Sequence, residues 1–321
     1  MVTTSEQSGL PGSARPSGVR HVLSFDIEDW FHIVDVPAVD DPAQWLELSR
    51  RSSIVERYTD LILDLCRKHQ TRATFFVLGW IADRHPELVA RVAAEGHELA
   101  THSFWHRRVY TLTAQEFLED LRRSIDAITA AAPGASVRGF RAPSFSITPG
   151  SEWAFDTILR AGLAYDASLF PGPRGHGGYD CPRGPHVVET PKGARLVELP
   201  MSVAPVGLGP LRHRMCYSGG GYLRLLPSSM IHQGIEHEAA QGRGTVVYLH
   251  PRDFAPDCPR VSMPPARKFK CYVGLSSTTT KLERLLDRYE WMPCVDALAD
   301  FFERPDPSQP SNSRGAQEAT L

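Results

Sequence analysis

Val22-Leu23-Ser24-Phe25-Asp26-Ile27-Glu28-Asp29-Trp30 is the stretch whose reading decides the fold. It starts as a short apolar run and ends with three carboxylates in four positions. An apolar strand that runs into clustered acids delivers them to the rim of a sheet or barrel. Three like charges so close repel, and a divalent cation is the most economical way to offset them. The plain alternative is a polar loop after a strand.

Downstream, strands and helices alternate. His21 to Phe25 reads as a first strand and about Ser53 to Lys68 as a helix, with Ile54, Tyr58, Leu61, Ile62 and Leu65 at helical spacing. Ala73 to Leu78 is a β-rich run closed by Gly79. Pro86 to Glu95 reads as a helix with Pro at its start and Gly96 at its stop. His97 to Ala100 begins a short strand. Thr113 to Glu116 fits a capping box that opens a longer helix, with Phe117, Leu121, Ile125 and Ile128 on one face. Val137 to Phe140 is a further strand, Glu152 to Ala161 a helix stopped by Gly162, and Gly244 to Leu249 the strongest late strand. A Pro/Gly-rich section from Pro171 to Pro210 carries short β-like runs such as Val187 to Glu189, and a final amphipathic helix lies near Thr279 to Tyr289. This alternation predicts parallel βα units and a barrel or open α/β sheet with its site at the strand ends.

The 321 residues suffice for a large core. The hydrophobic fraction of 42% and charged fraction of 22% are those of a soluble globular protein. With 35 basic and 37 acidic residues the net charge is −2, which argues against nucleic-acid binding driven by bulk charge. No apolar run approaches the ~20 residues a membrane helix needs. The six cysteines form no CxxC pair and are expected to be free thiols. Residues 1–18 read as a disordered lead with no secretory signal, and 305–321 as a disordered tail. On that reading the expected location is the cytoplasm and the expected substrate a precursor, such as a lipid-linked or oligomeric sugar.

His102 and His106 lie four apart, and on a helix their imidazoles share a face and can bind one metal. Two His and one carboxylate leave coordination positions open for water and substrate, as a hydrolytic site requires. Asp26 is the natural general base. The metal carboxylate is then Glu28 or Asp29. Strand alternation puts Glu28 on the face of Asp26, but a strand ending at Asp26 would let Asp29 turn inward, so both stay open. Arg141 could hold Asp26 ionised and oriented. His250 could be the acid that protonates a leaving group. Asp166 could orient a histidine or contact substrate. Trp30, Phe104, Trp105 and Phe145 are candidates to line a sugar groove, although core is the commoner fate of aromatics.

Phe25-Asp26-Ile27-Glu28-Asp29, His102-Ser103-Phe104-Trp105-His106, Arg141-Ala142-Pro143-Ser144 and Leu249-His250 fall in the order of the polysaccharide deacetylase (NodB-homology, carbohydrate esterase) family. Glu87 to Glu98 resembles that family's lead-in to its histidine motif. The resemblance spans roughly residues 20 to 255. Gly219 to Pro227, His250 to Phe254 and Lys281 to Leu286 resemble the extension of deacetylases from exosortase-linked exopolysaccharide gene clusters. The resemblance implies a distorted (β/α) barrel over 19–255 and a C-terminal extension over 256–304. It implies a divalent metal of the zinc type, with cobalt, nickel and manganese as alternatives, and removal of N-acetyl groups from amino sugars. Asp26 matches the base, His102 and His106 the metal ligands, Arg141 the residue that holds the base and His250 the acid. Ile27 departs from the family's common pair of adjacent Asp, and this puts the third ligand in doubt. Ser144-Phe145 stands where many members have Tyr, and the expected oxyanion donor is a backbone N–H near Ser144. The competing functions are a deacylase of a small N-acylated metabolite and a non-catalytic carbohydrate-binding barrel.

Overall fold

β1 (His21–Ile27) is buried at every position, as a strand covered on both faces must be. Its side chains alternate: Leu23, Phe25 and Ile27 join the large core under the helices, whereas Val22 belongs with Phe76, Ala100, Tyr165, Val246 and Tyr248 inside the sheet's curve. Ser24 and Asp26 share the inner parity with Val22. The structure is a computed structural model that describes residues 18–34, 36, 41–172, 178–207, 209 and 213–303. The expected lead (1–18) and tail (305–321) lie outside them, apart from Gly18.

The remaining strands are β2 (Thr74–Val77), β3 (Glu98–Thr101), β4 (Gly139–Phe140), β5 (Tyr165–Asp166), β6 (His186–Glu189), β7 (Arg195–Glu198), β8 (Val203–Val206), β9 (His213–Cys216), β10 (Val246–Leu249) and β11 (Trp291–Met292). Among the described residues one mixed sheet runs β10-β1-β2-β3-β4-β5-β7-β6, with β11 also on β1, and β8 pairs with β9 in a separate ribbon. Every pairing in the main sheet is parallel except β6 with β7. The architecture is therefore the expected distorted α/β barrel with a C-terminal extension, here a curled half-barrel left open between β10 and β6.

The helices are α1 (Trp30–Ile33), α2 (Pro42–Ser52), α3 (Val55–Lys68), α4 (Gly79–Arg84), α5 (Pro86–Ala94), α6 (Ala114–Ala131), α7 (Trp153–Arg160), α8 (Gly220–Leu225), α9 (Ser228–Ala239), α10 (Pro265–Tyr272), α11 (Thr278–Arg288), α12 (Cys294–Ala297) and α13 (Ala299–Glu303). The Thr113 capping box at the start of α6 forms as expected, and Phe117, Leu121 and Ile128 are buried beneath it. Sequence patterning did not foresee α2, α10, the β8–β9 ribbon or β11. Two-residue β11 carries no readable alternation, and α10 is exposed over much of its surface. All six cysteines are free. No helix among the described residues is long and apolar enough to cross a membrane.

Candidate metal centre and active site

The C-terminal ends of β1, β3, β4 and β10 deliver the functional side chains to one place, as a parallel sheet does. β1 continues through Ile27, so Glu28 follows Asp26 on the inner face. Glu28 is 2% exposed and lies 2.9 Å by its Oε2 from His106 Nε2. Its Oε1 lies 3.9 Å from His102 Nε2. One ligand atom from each of Glu28, His102 and His106 falls within 4.8 Å of the others.

The donor set fits a divalent cation. Glu28 Oε2 is buried without a hydrogen bond even though His106 Nε2 is so near, as expected for lone pairs that converge on a third atom. His102 Nδ1 lies 2.8 Å from the Arg141 carbonyl, which fixes its proton there and leaves Nε2 to face Glu28. Burial pushes the His102 imidazole down to about 3, so it stays neutral and able to ligate.

Asp29, the other carboxylate left open by the sequence, is not part of this cluster. It is the N-cap of α1: its Oδ1 accepts from the Trp30 N–H at 2.8 Å and the Ile54 N–H at 3.2 Å. Its own N–H donates to His32 Nδ1, completing a capping box.

The histidine segment is not the helix on which the spacing argument rested. Ser103 and His106 have φ of 67° and 54°, left-handed values that break any helix between them. The loop is fixed from outside. Asp120 of α6 accepts from the N–H groups of Phe104 and Trp105, and the Ser103 carbonyl accepts from the Gly79 N–H at 2.8 Å and Ser124 Oγ at 3.0 Å. The two imidazoles meet with ring centroids 5.3 Å apart.

Beside the cluster, Arg141 is fully buried and donates to Asp26 Oδ1 at 2.7 Å and Ser24 Oγ at 3.0 Å. Its guanidinium also lies 4.0 Å from the Phe76 ring centroid. His250 Nε2 stands 3.7 Å from Asp26 Oδ2 and 3.5 Å from Glu28 Oε1. His250 Nδ1 lies 3.0 Å from Asp253 Oδ2, and Arg224 Nε lies 2.9 Å from the other oxygen of Asp253. Burial alone would lower the His250 pKa, but Asp253, helped by Glu28 and Asp26, outweighs it and raises it. Burial would likewise raise Asp253, yet Arg224 and His250 hold it well below the usual carboxylate range. Gly220 is required here, because a Cβ would meet Asp253 Oδ2 at 2.1 Å. Asp253 and Arg224 were missed: neither sits at a strand end, and their role depends on a contact between segments remote in sequence.

Among the described residues Asp166 pairs with no histidine, and it lines neither of the two cavities over the cluster. It lies fully buried behind Arg141, accepts from Ser168 Oγ, and Ser168 Oγ accepts from the Ala142 N–H at 2.7 Å. Burial raises its pKa to about 6, and the neighbouring Glu198 is raised further by burial and by the Asp166 charge. Asp166 is thus a support of the β4 end. Trp30 is also not a groove residue: it is 2% exposed and its Nε1 donates to the Ser52 carbonyl at 2.9 Å. Phe104 is core at 1%.

Two adjoining cavities open over the cluster. One of about 420 Å³ is lined by Asp26, Glu28, His102, His106, His250 and Phe145, among others. A second of about 340 Å³ is lined by Trp45, Trp105, His32 and Arg107. Ile33, His106, Arg108 and Ser144 line both. Trp105 and Phe145 therefore face open space, and Trp45, unremarked in the sequence, takes the place expected of Trp30. Ser144 and Phe145 have φ of 56° and 54°, a strained turn at the cavity wall. The Phe145 N–H is committed to the Ala142 carbonyl at 2.9 Å.

Residues 45–154 match the family model described as polysaccharide deacetylase, and residues 167–299 match a domain of unknown function (DUF3473). The chain is 36% identical over 107 residues to a chitooligosaccharide deacetylase of Sinorhizobium fredii, which covers 33% of this chain and 48% of that one. It is 39% identical over 83 residues to a chitooligosaccharide deacetylase of Rhizobium leguminosarum, covering 26% of this chain and 39% of that one. The chain thus spans less than half the length of these curated relatives. A crystal structure from Mycobacterium smegmatis, assigned to the polysaccharide deacetylases, superimposes with a TM-score of 0.56 at 16% identity, covering 94% of each chain. That likeness shows a shared fold.

Proposed function

This chain carries a polysaccharide deacetylase domain, and from that premise we propose that it removes N-acetyl groups from amino sugars of a polysaccharide or its oligosaccharide precursor. The observation that carries the reading is the convergence of Glu28, His102 and His106 on one point of a cavity wall, with Asp26 and His250 beside it. Glu28, His102 and His106 would hold a divalent cation, zinc by the donor chemistry. When bound, it supplies Lewis acidity to a water and to the acetyl carbonyl.

Asp26, held in place by the Arg141 guanidinium, takes the proton of the attacking water. The Ser144 N–H, at the strained turn beside the cavities, offers a hydrogen bond to the developing oxyanion. His250 carries its proton on Nε2 once charged, because Nδ1 is tied to Asp253. It gives that proton to the departing sugar amine, and the Asp253 carboxylate raises its pKa in favour of the charged form. The adjoining cavities favour an oligomeric substrate over a small N-acylated metabolite, since they extend beyond the size of one acetamido sugar. Intact motif residues weigh against a non-catalytic barrel.

Acetate release from N-acetylglucosamine oligomers tests the reading. Metal-stripped protein should be inactive, and Zn²⁺ or Co²⁺ should restore release in the parent but not in His102→Ala or His106→Ala. No release from protein with stoichiometrically bound metal would discard this substrate class.

A further inference from the structure

We propose that His32 is a substrate-binding residue: its Nε2–H donates to an oxygen of the sugar next to the one being deacetylated, and so makes the site prefer oligomers. The proposal rests on the deacetylase reading and deepens it. His32 belongs to α1, is 4% exposed, and lines the second cavity. Its Nδ1 accepts the Asp29 N–H at 3.0 Å in the capping box. A ring nitrogen that accepts carries no proton, so the imidazole bears its hydrogen on Nε2. That Nε2 is buried and has no hydrogen-bond partner among the described residues.

A buried donor without an acceptor destabilises a fold, and native structures keep few of them. Around this one stand the rings of Phe31, Trp45 and Trp80, with centroids 4.4, 4.3 and 5.3 Å from that of His32. Aromatic faces accept N–H groups only weakly. The His106 ring is the next neighbour at 6.4 Å, and its Nε2 is turned to Glu28. The cavity is the side from which a ligand oxygen reaches His32. A donor kept in an apolar wall is satisfied only when such an oxygen arrives, and a ligand that lacks it is refused.

The second cavity adjoins the one over Glu28 and shares His106 and Ser144 with it, so a sugar placed over Glu28 has its neighbour beside His32. Trp45 and Trp105 line the same space, with ring centroids 6.2 Å apart. Indole faces suit the C–H-bearing face of a pyranose, and a directed N–H fixes how that ring is turned. The acceptor on the neighbouring sugar is a ring hydroxyl or the N-acetyl carbonyl.

The test uses the full, metal-loaded chain and three probes: N-acetylglucosamine, its tetramer, and a tetramer alternating N-acetylglucosamine with glucose. Equilibrium titration reads binding, and acetate release reads kcat and KM. Asparagine puts an oxygen where His32 has Nδ1 and nothing at Nε2, whereas glutamine puts an N–H at Nε2 and loses the Nδ1 acceptor. His32→Asn should cut the tetramer-to-monosaccharide ratio, in affinity and in kcat/KM, by about tenfold and chiefly through KM. His32→Gln should keep that ratio within about twofold while melting lower than the parent, because the Asp29 N–H loses its acceptor. A role confined to the cap predicts the opposite order. A parent without tetramer preference overturns the proposal, as does a ratio that falls in His32→Gln but not in His32→Asn, equally in both or in neither. So does an Nε2–H resonance of the isotope-labelled parent that stays unmoved when the tetramer saturates the site, a readout that needs no variant. Preference lost with the glucose-containing tetramer assigns the acetyl carbonyl as acceptor, and preference kept assigns a ring hydroxyl. Selective tetramer binding without acetate release would instead count against the deacetylase reading alone.

Discussion

Arg141 is a charge with no exposed surface, and its cost is offset only by what it meets: Asp26, Ser24, the Ala167 carbonyl at 3.3 Å and the Phe76 face. Removing one member of a buried pair strands the other, which costs about 3–5 kcal/mol. Arg141→Met should therefore lower stability by that order in urea denaturation and also reduce turnover, since Asp26 loses its orientation. A variant of parental stability would show that the Arg141–Asp26 pair is not needed to hold the fold. At this scale the sequence told much. Asp26 lies in β1, and Glu28, His102, Arg141 and His250 each follow a strand directly, so a strand assignment places them, while His106 was found by its spacing from His102. Asp253, Arg224, Asp120 and Trp45 could not be placed, because each works across a contact between distant segments. The choice between Glu28 and Asp29 turned on whether β1 ends at Asp26 or at Ile27, a matter of one residue.

The loop from His102 to His106 is the element on which the site depends, and it has no regular structure of its own. Its four-residue spacing imitated a helical face, while the real shape comes from two left-handed residues and from backbone bonds to Gly79, Ser124 and Asp120. Gly79 shows how tight that seat is. A Cβ there would meet Phe104 Cδ2 at 2.6 Å and the Ser124 backbone at 2.7 Å. Gly79→Ala should destabilise by about 1–3 kcal/mol, the usual range for overpacking, and should weaken metal binding as the loop is displaced. Thermal melting and a metal titration read the two effects separately. Unchanged metal affinity in a destabilised variant would mean that the histidines are held by their own packing.

Across the whole molecule, the sheet ignores the division between the two matched families. The first match covers 45–154 and the second 167–299, yet β6, β7, β10 and β11 of the second share one sheet with β2 to β4 of the first, through β1 and β5, which lie in neither. His250 and Asp253 belong to the second region. His21 marks the seam. It is 1% exposed, its Nδ1 accepts from the Thr245 N–H at 3.0 Å, and its ring packs 5.3 Å from that of Tyr289. Burial lowers its pKa from 6.5 to about 4. Below 6.5 the unfolded chain takes up a proton that the folded chain refuses, so acid favours unfolding by up to about 1.4 kcal/mol per pH unit until about pH 4. His21→Asn should lose roughly 2 kcal/mol less than the parent between pH 7 and 4.5, by urea denaturation at each pH. Parallel losses would remove His21 as the acid-sensitive group.

The central claim is that Glu28, His102 and His106 hold a catalytic metal while Asp29 merely caps α1. Zinc stoichiometry and acetate release measured together on Glu28→Gln and Asp29→Asn test it most directly. Glu28→Gln should lose bound zinc and activity while remaining folded. Asp29→Asn should keep one zinc and most of its activity, with a loss of about 1 kcal/mol in stability from the weakened cap. Zinc retained by Glu28→Gln and lost by Asp29→Asn would contradict the assignment.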